Sequence, residues 1–377
     1  MSAQRLSFAA IFVSLLGMTV PSAIAQLNGA SIEAAQKYSA SHNGIAMIVK
    51  EGGSIRYEKY YNGYSGDPLH IFSGTKSFFG VLAVIAQEEG LLDLDERVAE
   101  TITEWRDDPA KSAITLRETL NFTSGLETGF EEIYGRSSED KISVAVGLDA
   151  KRARGSAFIY GPGNMNVFCE VLRRKLKSKG MSYEAYLQKK LIRPLGINIS
   201  RWREDAHGNV VPSAGMYMTG KDWINFGDMI KSGGVYNGRR LVKTESLSQC
   251  FSGTQINPSF GLCFWLNGYA KEPNAREMDV EESLDEDPMP ENWSGNCLSK
   301  DAPVDLICSL GSTFQRLYVV PSMDLVVIHH GKRGHEFRDA DFLRILFQGA
   351  ASAQPQEESG KKEFRPFKGL FKGRGNQ

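Results

Sequence analysis

Neither sign of charge prevails in this chain of 377 residues: 44 lysines and arginines stand against 45 aspartates and glutamates. That balance leaves no electrostatic footprint of nucleic-acid binding. The five cysteines, Cys169, Cys250, Cys263, Cys297 and Cys308, include no C-x-x-C pair. A zinc cluster or a thioredoxin-type redox motif is therefore not expected. No internal repeat is visible. Beyond the N-terminus, no apolar run is long enough to cross a bilayer.

The N-terminus itself carries an export pattern. Arg5 precedes an apolar stretch from Leu6 to Val20, and Ala23-Ile24-Ala25 fits an A-x-A cleavage site. Residues 1–25 are read as a signal peptide, with a membrane anchor as the alternative. The expected location is secreted or periplasmic. In an oxidising compartment Cys250, Cys263, Cys297 and Cys308 allow up to two disulfides in three pairings. Cys169, inside the apolar pattern "NMNVFCEVLRRKL", is expected to stay buried and reduced.

Residues 26–349 are expected to form one α+β domain. Ser31–His42 has the pattern of a helix. Ile45–Val49 and Ile55–Tyr60 flank Gly52-Gly53 as a hairpin. A mainly helical part follows at about 131–205. Strand patterns return in "FGLCFWLNGY", "DLICSLG", "FQRLYVVPS" and "DLVVIHHG", and a helix closes the domain near Phe337–Phe347. Residues 271–291, with nine acidic residues and three prolines, read as a solvated loop. Residues 350–377 read as a disordered basic tail, with contact to a membrane or envelope polymer as the sharper alternative.

One lysine stands out. In "HIFSGTKSFFGVLAVIAQEEG" the run from Thr75 is apolar on nearly all sides, as in a helix buried inside a domain. Lys76 sits at its start, three residues after Ser73. Residues i and i+3 share a helix face. Burial removes water from an ammonium and lowers its pKa, so a neutral Lys76 amine can take the proton of Ser73. The helix N-terminus favours the negative charge that results. This is the logic of an activated serine nucleophile, and S-x-x-K is a catalytic pattern of β-lactamases and penicillin-binding proteins. The other Ser/Lys pairs at this spacing, Ser138/Lys141 and Ser359/Lys362, lie in polar surroundings.

Around that pair the chain resembles the serine β-lactamase/penicillin-binding-protein superfamily. The likeness is to its class C-like branch of esterases, D-amino-acid peptidases and 6-aminohexanoate-oligomer hydrolases. It runs over about residues 40–350, through "GLLDLDERV", "ITLRETLNFTSGL", "PLGI", "AGMYMTGKDWINFGDMI" and "GGVYNGRRLV". The resemblance implies an antiparallel sheet flanked by helices, with an all-helical insertion. It implies Ser73 as nucleophile, Lys76 as base and Tyr160 as proton relay. The third motif, usually K-T-G or H-x-G, corresponds to Ser309-Leu310-Gly311, and the backbone N–H groups of Ser312 and Ser73 would form the oxyanion hole. Two departures stand out. Pro162 occupies the asparagine position of Y-x-N, leaving Asn164 to supply an amide. Ser309 replaces the basic residue, which weakens recognition of a carboxylate.

Three further residues attract attention. His329 and His330 end a strand and are read as a solvated strand end; Ser124 is read as a structural turn. The expectation is a cofactor-free, metal-free serine hydrolase acting on small esters, amides or peptides. A D-alanyl peptidase and a non-catalytic binder of envelope peptides are the alternatives.

Overall fold

A computed structural model describes residues 27–135, 140–334 and 337–349. The signal-like segment, the basic tail, Ser138 and His335 lie outside the described residues. Six antiparallel strands form the main sheet: β1 (Gly44–Glu51), β2 (Ser54–Tyr60), β3 (Trp265–Leu266), β4 (Ile307–Gly311), β5 (Gln315–Val320) and β6 (Leu325–Gly331). Their order across the sheet is β2-β1-β6-β5-β4-β3. The first hairpin therefore pairs with the last of the described strands, and β1 and β6 join the two ends of the domain. As expected, β5 and β6 are antiparallel neighbours around Pro321-Ser322.

Helices cover both faces of the sheet. Helix α1 (Gly29–Ser41) and the closing helix, which spans Asp339–Gln348, pack against each other on one face. On the other lie α2 (Thr75–Glu88) and α4 (Gly220–Lys231), while α3 (Pro162–Leu176) packs against other helices. The Phe78 ring of α2 stacks on Phe226 of α4 with centroids 3.9 Å apart. Every residue of α2 from Thr75 to Ala86 is buried, which is why its apolar pattern runs all round. At Gly80 a Cβ would come within 2.2 Å of the Leu262 carbonyl oxygen, so only glycine lets that chain cross α2 there.

The sheet's double cover corrects one expectation. His329 and His330 are fully buried rather than solvated. Adjacent strand residues face opposite sides, and here both sides are roofed. The His329 ring stacks on Phe337 and the His330 ring on Trp223. Desolvation pushes both imidazoles down to about 3.

Three other expectations shift. In "FGLCFWLNGY" only Trp265–Leu266 pairs as a strand. Cys263 has a φ of 64°, outside the β region, and the backbone turns there. The helical part holds a short strand, Arg201–Trp202, which pairs with Met216–Met218. The acidic segment 271–291 is not simply a solvated loop. It contains α5 (Val280–Asp285), whose Val280 and Leu284 are buried. All five cysteines are buried free thiols, so no bridge joins any pair, and Cys169 sits inside α3 as expected. Among the described residues no helix is long and apolar enough to cross a membrane.

Candidate active site

Ser73 lies in a single 3-10 turn, Phe72–Gly74, between the short strand Leu69–His70 and α2. Phe72 holds a φ of 47°, a left-handed conformation seldom adopted by a bulky residue. The kink ends the strand sharply and turns Ser73 toward a cleft. Strand β4 presses on this turn. A Cβ at Gly311 would sit 2.0 Å from the Ile71 carbonyl oxygen, so glycine is required for the approach. That contact brings Ser312, half-buried at the end of β4, to the same cleft as Ser73.

Lys76 is one turn further on, 3% exposed. Its Nζ lies 2.8 Å from Ser73 Oγ and donates to the Ser213 carbonyl at 2.7 Å. Burial lowers its pKa from 10.5 to about 7. The amine also rests over the Tyr160 ring, 4.9 Å from the centroid. Tyr160 is buried, which raises its pKa strongly, while a hydrogen bond with Ser73 works the other way. The phenol therefore keeps its proton near neutrality. Of the groups touching Ser73, Lys76 is the one whose proton is easily lost.

Ser213 is a participant that the sequence reading missed. Its carbonyl orients Lys76, and its hydroxyl shares a 2.6 Å hydrogen bond with Tyr134. Met216 N donates to Thr75 Oγ1 at 3.2 Å and ties the same segment to the start of α2. Nothing in "VPSAGMYM" marks a backbone carbonyl as a lysine partner, so local pattern carries no signal for it.

Two expected substrate-binding residues face elsewhere. Asn164 accepts from Ser124 Oγ at 2.5 Å and donates to the Ile159 carbonyl at 3.5 Å. It braces the turn that carries Tyr160 and is absent from the cleft lining. Ser124, fully buried, also accepts from Leu126 N at 3.2 Å, which is the structural turn expected of it. Ser309 is buried and donates to the Gly74 carbonyl at 3.1 Å. It ties β4 to the nucleophile turn rather than facing a substrate.

The cleft is narrow, with about 310 Å³ of empty space, part of it bulk solvent at the mouth. Trp265, Val280, Leu284 and Leu310 form an apolar wall beside Ser73, Tyr160, Gly311 and Ser312. Arg316 is the cation in this lining, and it is already engaged. Its Nε and Nη2 donate to Asp339 at 2.8 and 3.1 Å, its Nη2 to Glu281 at 3.0 Å, and its Nη1 to the Gly311 carbonyl at 2.6 Å. Among the described residues no group of three or more His, Cys, Asp or Glu side chains converges as a metal site.

Comparison with known proteins bears on the family and the fold. The sequence model of a family described as Beta-lactamase matches residues 30–264. The ML-236A carboxylate methylbutanoyltransferase of Penicillium citrinum is 29% identical over 155 residues, 34% of this chain and 36% of that one. This chain thus spans about a third of the length of the curated relatives it matches. A class C beta-lactamase from Rhodobacter sphaeroides superposes with a TM-score of 0.59 at 16% identity, over 85% of this chain and 97% of the other. A penicillin-binding protein homologue from Caulobacter crescentus gives 0.61 at 15% identity, over 88% and 100%.

Proposed function

Because the chain belongs to the beta-lactamase family of serine hydrolases and acyltransferases, we propose that it is an exported hydrolase of uncharged esters and small amides, working through an acyl-enzyme on Ser73. The observation that carries this reading is the buried Lys76 amine at 2.8 Å from Ser73 Oγ with its pKa lowered to about 7. A structural lysine gains nothing from such a position, since an unpaired ammonium is costly to bury. A general base gains a pKa matched to neutral pH.

In the first half-reaction Ser73 Oγ attacks the carbonyl carbon while Lys76 Nζ takes its proton. The tetrahedral oxyanion is held by the backbone N–H groups of Ser73 and Ser312. Tyr160, still a phenol, hands a proton to the departing alkoxide or amine and is reprotonated through Lys76. Water then attacks the acyl-enzyme with Lys76 as base again, and Ser73 recovers its proton as the acid leaves.

The preference for uncharged substrates rests on two observations. Ser309 points at Gly74 and not at the cleft, and the Arg316 guanidinium is saturated by Asp339 and Glu281. A substrate carboxylate would forgo a charge-assisted contact, about 1.5–3 kcal/mol or roughly tenfold or more in affinity. Export is supported by the A-x-A pattern at Ala23–Ala25. The test is intact-mass spectrometry after a fluorophosphonate probe, followed by side-by-side hydrolysis of a nitrophenyl ester and a chromogenic cephalosporin. One adduct per chain on Ser73 and a clear preference for the ester are expected. An unlabelled Ser73, or efficient cephalosporin hydrolysis, would overturn the reading.

A further inference from the structure

The chain between β3 and β4 reaches back over the cleft, and the acyl chemistry above makes no use of it. Within it, Asp279 caps α5 by accepting from Glu282 N at 3.0 Å. The helix then presents Val280, Glu281 and Leu284 to the same cleft as Ser73 and Ser312. The two apolar side chains are 3% and 8% exposed, so they are firmly seated and do not flap in solvent.

Glu281 is what fixes the helix there. One carboxylate oxygen accepts from Thr313 N at 2.6 Å; the other accepts from Phe314 N at 3.2 Å and from Arg316 Nη2 at 3.0 Å. Thr313 and Phe314 have φ values of 60° and 59°. Two consecutive non-glycine residues in the left-handed region need outside support. Glu281 gives both of them a charged acceptor. The turn they form begins at Ser312, whose N–H is assigned to the oxyanion. Beyond the turn, Arg316 fastens the carboxylate to Asp339 on the closing helix. The wall of the cleft and the oxyanion turn are thus held by one side chain.

We propose that α5 is the specificity-determining wall of this site, latched by Glu281, and that it limits the length of an apolar chain on the ester. The proposal rests on the acyl-enzyme reading. Glu281 acts as a positioning residue through the Ser312 turn. Val280 and Leu284 would touch the substrate's apolar chain, and Glu281, the charged side chain that α5 presents to the cleft, is already engaged. The chain that meets the wall belongs either to the acyl group or to the alcohol, and the experiment separates the two.

The experiment begins by labelling the wild-type protein and the variants Leu284→Ala, Leu284→Trp, Val280→Ala, Glu281→Gln and Glu281→Ala with a fluorophosphonate. Two homologous series follow: nitrophenyl esters from acetyl to decanoyl, and acetates of straight-chain alcohols from ethyl to decyl. Leu284→Ala, or Val280→Ala if the first does not fold, should raise the long-to-short ratio of kcat/KM at least tenfold in one series. Leu284→Trp should lower it in the same series. Glu281→Ala should reduce kcat on the acetyl ester at least tenfold while KM changes less than threefold. Glu281→Gln, which keeps one acceptor oxygen, should fall between. The pH midpoint set by Lys76 should stay in place in both Glu281 variants. Labelled proteins with unchanged ratios in both series would overturn the wall, and wild-type kcat in Glu281→Ala would overturn the latch. An unlabelled wild-type Ser73 would overturn the acyl-enzyme reading and the proposal with it.

Discussion

Lys76 and Arg316 are both cations buried beside one cleft, yet burial does opposite things to them. Lys76 meets neutral acceptors, the Ser73 hydroxyl and the Ser213 carbonyl. Desolvation prevails there, and the amine falls to about 7. Arg316 meets two carboxylates, Asp339 and Glu281, and its pKa is raised despite the same desolvation. One position makes a base; the other makes a permanent structural cation. The lesson is that depth alone does not decide the chemistry of a buried cation. The charge of its partners does.

The largest expected effects fall on the reactive side of this contrast. Ser73→Ala should lower kcat/KM by at least ~10⁴-fold. Lys76→Met should lower it by about 10²–10⁴-fold, the usual reach of general-base catalysis. Methionine fills similar space without an ammonium to desolvate. At pH 10, where most of the desolvation penalty on the wild-type amine has gone, the unfolding free energy of Lys76→Met should therefore stay within about 1 kcal/mol of wild type, the loss being one hydrogen bond to Ser213. Denaturant titration checks the second half of the claim. A collapse in stability would mean that Lys76 holds the fold as Arg316 does.

Arg316→Met should behave in the reverse sense. It leaves Asp339 and Glu281 as buried carboxylates without their cation, which costs about 3–5 kcal/mol. Tyr318, which donates to Asp339, loses part of its setting as well. A variant as stable as wild type would show that the ion network contributes little, and the contrast with Lys76 would fail.

The pH dependence sharpens the comparison further. The Lys76 amine is neutral above about 7, so kcat/KM should rise through that value and level off above it. The sign for stability follows from the same shift. Between about 7 and 10.5 the unfolded chain holds a proton on Lys76 that the folded one has released. Stability from this group therefore increases with pH across that window and is lost as pH falls through about 7. The difference in Tm between Lys76→Met and wild type should favour the variant more at pH 7 than at pH 10. A difference independent of pH would place the Lys76 pKa near its ordinary value.

The nucleophile region was legible because its signal is local. Ser73, Lys76 and the apolar run of α2 occupy fewer than twenty consecutive residues, and the oddity of a lysine in that run is visible without a fold. The strands around Pro321-Ser322 were legible for the same reason. The acidic segment was misread because composition hid its pattern. Val280 and Leu284 stand at i and i+4 behind Asp279 at the cap, a helix signal of three residues within a run of carboxylates. His329 and His330 were misplaced because burial of a strand end depends on both helical layers, which no window of sequence contains. Glu281 and Ser213 act on residues 35 and 137 positions away along the chain. Their roles are set by topology.

Ser309 supplies the smallest and most discriminating test. In its family position a basic side chain would meet a substrate carboxylate, whereas here the hydroxyl donates to Gly74 within the fold. The two roles predict different patterns for Ser309→Ala. If the hydroxyl reads an anion, the loss falls on carboxylate-bearing esters and spares neutral ones. If it ties β4 to the nucleophile turn, both substrates lose equally, because the same turn presents Ser73 to each. A neutral hydrogen bond is worth about 0.5–1.5 kcal/mol, so the loss should be roughly two- to tenfold. We expect that loss to be equal for a nitrophenyl acetate and for the nitrophenyl ester of a dicarboxylic half-acid. Ser309→Lys should gain nothing on the charged ester, since the buried site facing Gly74 would force the ammonium among backbone atoms before it reached the cleft. A selective gain on the charged ester would return Ser309 to the substrate site and break the assignment of this strand as purely structural.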